Sequence, residues 1–170
     1  MTSSTAAQRH PRLLKLIETA SGTVEKIFAM SGGVAAMFHY IKENGDHIVT
    51  LAPTNLDKDT GVALMRSVFE LERAVAVMYI DEAWTFLSTD WNEVRTHIES
   101  GVGVAEHPKR IEIVHFSAED DTGSLLGVRR IERPPGQPPH LGPLEIEDSG
   151  VMSFGRFVGL LPRPQNARVQ

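Results

Sequence analysis

The chain has 170 residues, 41% of them hydrophobic and 23% charged, with a formal net charge of −5 and no cysteine. A length of this order favours one domain spanning 1–170, which buries roughly 70% of the surface its unfolded chain exposes and needs no covalent staple. The lack of cysteine excludes a disulfide framework, thiolate metal sites and a cysteine nucleophile, and the negative balance argues against a nucleic-acid partner, whose phosphates call for clustered Lys and Arg.

Residues 1–8 are small and polar and read as a flexible tail, as do 163–170 at the other end. Pro11 suits a first helical turn, and Leu13, Leu14, Leu16, Ile17, Val24, Ile27 and Phe28 follow at near-helical spacing. The spacing predicts a helix over 11–20, with an extension to 30 that Ser21-Gly22 weakens and Ser31-Gly32-Gly33 ends. Two apolar runs, Val34–Ile41 and His47–Ala52, flank Lys42-Glu43-Asn44-Gly45-Asp46, and Asn-Gly between such runs predicts a β-hairpin. Asp57 or Asp59 can cap a helix over 58–73, where Val62, Leu64, Met65, Val68, Phe69 and Leu71 form an apolar stripe.

Ala74–Ile80 is apolar on both alternating faces, the pattern of a central strand covered on both sides or packed with one face on helices and the other on a second layer, and the strand extends to 86. Asp90 caps a short helix through Glu99, Gly101 stops it, and a loop runs to Pro108. Arg110–Ala118 and Ser124–Arg133 form a second hairpin around the acidic turn Glu119–Gly123. Pro134–Pro139 must be an irregular linker, since proline donates to no ladder. Leu144–Glu147 can add a short edge strand, and Phe154–Leu161 is apolar enough to dock on the body. Hairpins dominate and βαβ alternation is missing. The predicted fold is therefore α+β: a mainly antiparallel sheet of five to six strands, built from two hairpins and a central strand, with helices packed on one face.

Several stretches carry chemistry-bearing groups. Asp81-Glu82-Ala83-Trp84 ends the apolar strand, where two carboxylates could bind a metal or work as an acid–base pair and Trp84 could wall a pocket. Neighbours on a strand point to opposite faces, however, so Asp81 and Glu82 do not readily share a ligand. Met78, Ile80, Glu82, Trp84 and Phe86 fall on one face, which places Glu82 among apolar groups and requires a partner, an Arg of 129–133 or His115. A buried structural ion pair or a carboxylate capping backbone amides is the cheaper explanation.

Of the seven histidines, none forms the i, i+4 pair of a metallopeptidase and none forms H-x-H. His39 and His47 flank the first turn. A two- or four-residue loop sends them to opposite sides, whereas a three-residue loop puts them together. Two histidines alone are a thin case for metal. His115, Ser117, Glu119 and Asp120 resemble hydrolase ingredients, but alternate strand residues sit about 6.5 Å apart, too far for a Ser–His bond. Nothing like G-x-S-x-G is present, and Ser31-Gly32-Gly33 lacks the context of a P-loop. Arg129, Arg130, Arg133 and Arg156 could hold an anion, although ion pairs with Glu112 or Glu132 across the ladder explain them adequately.

No coherent catalytic constellation or nucleotide motif emerges, and neither a cofactor nor a metal is expected. No apolar run approaches the ~18 residues of a membrane span, and the N-terminal residues lack the apolar centre of a secretory signal, so the cytoplasm is the expected location. The functional expectation is a non-enzymatic module that binds another protein or itself, as a homodimer, covering its apolar surface in the process. The alternative is a small enzyme or a small-molecule or metal binder with a pocket around Glu82, Trp84 and His115, with Arg129 as a further ligand-binding candidate.

Overall fold

The computed structural model describes residues 9–86, 88, 90–147 and 160–161. Both expected tails, Arg156 and nearly all of Phe154–Leu161 lie outside them.

Helix α1 runs unbroken over Pro11–Ser31, with Pro11 in its first turn and Leu13, Leu16, Ile17, Ala20, Val24 and Phe28 buried along one stripe. The extension through Ser21-Gly22 holds because Ser21 is itself buried and its hydroxyl accepts a hydrogen bond from Arg129 at 3.3 Å. Gly32 ends the helix in the left-handed region at φ 73°, donating its N–H to the Phe28 carbonyl, a conformation that glycine reaches without the Cβ clash.

Strands β1 (Met37–Lys42) and β2 (His47–Leu51) form the first hairpin. Its register runs from Met37 opposite Leu51 to Ile41 opposite His47 and continues through the Lys42 N–H bonded to the Asp46 carbonyl, which leaves the three-residue loop Glu43-Asn44-Gly45, where Gly45 sits at φ 88° and donates to the Lys42 carbonyl. Helix α2 (Lys58–Leu71) starts at Asp57, whose carboxylate accepts from the Asp59 and Thr60 amides. Strand β3 (Ala74–Thr85), helix α3 (Trp91–Ser100, capped by Asp90 and ended by left-handed Gly101), strand β4 (Ile111–Asp120), strand β5 (Gly123–Glu132) and strand β6 (His140–Glu147) complete the body. The second hairpin is tighter than its sequence suggests. Asp120 pairs directly with Gly123, and the Asp120 carboxylate accepts from both the amide and the hydroxyl of Thr122.

All six strands lie in one antiparallel sheet of order β2-β1-β3-β4-β5-β6. As its doubly apolar run predicts, β3 is central, paired with β1 on one side and β4 on the other. The expectation that helices cover one face needs correction: they cover both. On one face, α1 packs over Ala76, Met78, Ile80, Val114, Phe116, Ala118, Leu125 and Ile131. On the other, α2 packs Val62, Met65 and Phe69 against Phe38, Tyr40, Val77 and Tyr79, and Leu160 joins this second core. The physical reason is visible in β3, whose two side-chain sets are equally apolar and each require a cover. Gly127 lets α1 approach the sheet, since a Cβ there would meet Cγ2 of Ile17 at 2.8 Å.

Candidate functional site

Strand parity divides the chemistry-bearing residues between the two faces. In the β3–β4 register, Glu82 opposes Val114 and Trp84 opposes Glu112, on the α1 face, while Asp81 opposes His115 on the α2 face. Glu82 and Trp84 therefore do not meet His115 in one pocket.

Glu82 is half-buried, and its Oε1 accepts the backbone N–H of Val34 at 2.5 Å, in the segment that follows α1. The carboxylate thus caps a backbone amide, and among the described residues neither His115 nor an Arg hydrogen-bonds to it. Arg133 instead makes a two-pronged pair with Glu112, both contacts at 2.8 Å, which holds the Glu112 carboxyl below its ordinary range. Trp84 is 44% exposed, with the Arg110 guanidinium 5.3 Å from its ring centre.

Arg129 is only 7% exposed, and every arm of its guanidinium is engaged. Nε donates to the Gly142 carbonyl at 2.6 Å, and one terminal nitrogen to the Leu141 carbonyl at 3.3 Å. The other reaches Ser21 Oγ at 3.3 Å and Glu25 Oε2 at 3.0 Å. With four of its five N–H donors engaged, this guanidinium ties α1 to β6 and is committed to structure.

On the α2 face, Asp81 bridges two groups. It accepts from the Tyr79 hydroxyl at 3.2 Å and faces His115 Nδ1 at 3.3 Å. Burial, followed by the Asp81 charge, raises the Tyr79 pKa strongly, so this hydroxyl stays protonated and donates. Asp81 and His115 are both partly open to water. An aspartate on Nδ1 favours the tautomer that leaves Nε2 as a free base, the arrangement required of a proton acceptor. Ser117 lies two residues along the same strand face and gives no bond to His115.

A third cluster was not legible beforehand. The Phe86 and His107 rings stack at 4.0 Å, and His97 meets both edge-on. Glu93 receives Lys109 at 2.8 Å and Ser88 at 2.6 Å, which lowers its pKa. Since α3 buries no residue outright, these contacts hold it to the sheet.

At the first hairpin the three-residue loop places His39 and His47 on the same face, with Nε2 of His39 3.0 Å from Nδ1 of His47. His39 is 8% exposed, and burial, with His47 second, lowers its pKa and keeps the ring neutral. Because the folded-state value is depressed, this residue's contribution to stability is complete above its unfolded pKa and fades as pH falls below about 6.5.

The same hairpin carries an open edge. The pairs Lys42 N–H to Asp46 and Ala52 N–H to Ala36 fix the even-numbered residues of β2 as those bonded to β1. The backbone groups of His47, Val49 and Leu51 therefore point away from the sheet, and among the described residues no strand pairs with them. Their side chains lie on the α1 face beyond the reach of α1, with Val49 61% and Leu51 66% exposed. The opposite edge differs: β6 contains Pro143, Glu145 and Glu147, and its pairing with β5 is broken by a register shift between Arg129 and Ile131.

Among the described residues no group of three or more His, Asp or Glu side chains is arranged around a metal position, and no helix is long and apolar enough to cross a membrane. Comparison with protein-family models, with curated proteins and with solved structures finds no match to this chain.

Proposed function

We propose that this protein is a self-associating module that pairs β2 with β2 of a second copy, extending the sheet across a two-fold axis. The observation that carries this reading is the β2 edge, which no described strand pairs, with two large apolar side chains and outward backbone groups in a strand free of charge and proline. Natural sheets blunt such edges with Lys, Pro or a bulge, as β6 does. The strand also complements itself. An axis at Val49 sets Val49 against its own copy and His47 against Leu51, so that every outward N–H meets an outward carbonyl with no like charges opposed. Val49→Lys places two ammonium groups across that axis. Light scattering and sedimentation should show a wild-type dimer at micromolar concentration and, in the variant, a dissociation constant raised more than ~10-fold with the fold retained by circular dichroism. A wild type that stays monomeric throughout this range overturns the reading.

A second reading, that of a small-molecule site, is favoured by the Asp81–His115 pair on the open half of the α2 face, with Tyr79 holding Asp81 in place. Imidazole NMR should show Nδ1 protonated in neutral His115, with Asp81→Asn removing that preference. A dominant Nε2–H tautomer in the wild type removes this reading's basis.

A further inference from the structure

We propose that His39 and His47 form a chelating pair for a late first-row divalent transition-metal ion, with water completing its coordination. Both ligands belong to one chain.

The hairpin builds the pair. His39 opposes Val49 and His47 opposes Ile41, so the two histidines are diagonal neighbours on one face of adjacent strands. The close turn at Gly45 sets this register, and changing the loop by one residue would send His47 to the other face. The backbone thus holds the two rings before any ligand arrives.

The separation suits an ion. Metal–imidazole bonds are about 2.0–2.1 Å, so two cis ligands place their nitrogens about 2.9 Å apart at a right angle and about 3.3 Å apart at the tetrahedral angle. The pair stands at 3.0 Å, with ring centres 5.2 Å apart. The 3.0 Å spacing fits an N–H···N bond in which one ring donates to the other. Chelation requires the donor ring to change tautomer, its proton passing through water to that ring's other nitrogen so that both rings stay neutral, and turns the rings so that both lone pairs converge. His47 is exposed and free to make that turn, while His39 is walled in between Val49 and Met78.

The burial of His39 also suits an ion, since a ring only 8% exposed is held in place by its neighbours before any ligand arrives. His39 supplies the fixed donor and His47 the donor that opens to solvent, leaving the outer coordination positions to water. Imidazole donors without thiolate or carboxylate select copper, nickel and zinc over calcium or magnesium, and copper(II) should bind most tightly.

The test uses chelator-treated full-length protein titrated with copper(II) alone. Calorimetry should show a site that His47→Ala weakens at least ~10-fold, and His140→Ala, which removes the surface His140–Glu132 pair, should leave that site unchanged. His47 is exposed, so its variant keeps the fold. Electron paramagnetic resonance should show nitrogen coupling that is lost in His47→Ala, and paramagnetic broadening of amide signals should centre on 38–41 and 46–49. Copper that binds His47→Ala as tightly as wild type, or broadening centred away from this hairpin, overturns the proposal.

Discussion

Replacing Arg129 with leucine should destabilise the protein by about 3 kcal/mol, whereas replacing Glu25 with glutamine should have a far smaller effect. The two substitutions remove opposite ends of one ion pair, so the contrast identifies what the guanidinium contributes. Glu25 is largely exposed, and water takes over its solvation when the pair is broken. The carbonyls of Leu141 and Gly142 and the hydroxyl of Ser21 belong to buried residues and lose donors that nothing else supplies. Each unsatisfied group costs about 1–3 kcal/mol, and the leucine recovers only part of this through its apolar volume. Urea denaturation should show the loss at an unchanged slope, and for a chain of this size the melting temperature should fall by about 6–12 °C. Equal losses from both variants would show that the ion pair, and not the carbonyl bonds, holds α1 to β6.

Phe69→Ala should cost about 3–5 kcal/mol, the range for emptying a fully buried aromatic site. Phe69 is 0% exposed and meets Phe38 and Tyr40 in edge-on contacts with ring centres 5.5 and 5.3 Å apart. Such pairs add about 0.5–1.5 kcal/mol each beyond the area they bury. This side chain anchors α2 to the sheet, so amide exchange should accelerate in 58–71 before it does in α1. Uniform acceleration across both helices would show instead that the two cores unfold as one unit.

What could be read from the residues alone follows from the range of the forces involved. Asn44-Gly45, Asp57, Asp90 and Gly101 act within a turn or two, and the hairpin and helices they mark stand where the chain placed them. β3 was legible as central because burial on both faces is written in each successive residue of Ala74–Ile80. The same residues also implied covers on both faces, and the one-face expectation did not carry that implication through. The Asp81–His115 pairing was illegible for a different reason. The connection from β3 to β4 is long and passes through α3, so no turn geometry fixes their register, and a shift of one residue would have put Glu82 opposite His115. Arg129 reads as an anion ligand on its strand, because Ser21, Glu25 and the β6 carbonyls that engage it come from distant parts of the chain. His39 and His47 lie between these cases: loop length decides whether they meet, and the Asn44 side chain, bonded to Asp46, belongs to the loop that brings them together.

The unlike borders of the sheet also bear on stoichiometry. A protein with two receptive borders can add copies at each end without limit, which is the geometry of a fibre. Here Pro143 withholds a donor, and the interrupted register beside it bends the border it lies on. If two copies join through β2 as proposed, the borders left among the described strands are the two β6 strands, which are poor templates for a third copy. Growth by strand addition would then stop at the dimer, and the chain would keep one adhesive margin without becoming a polymer.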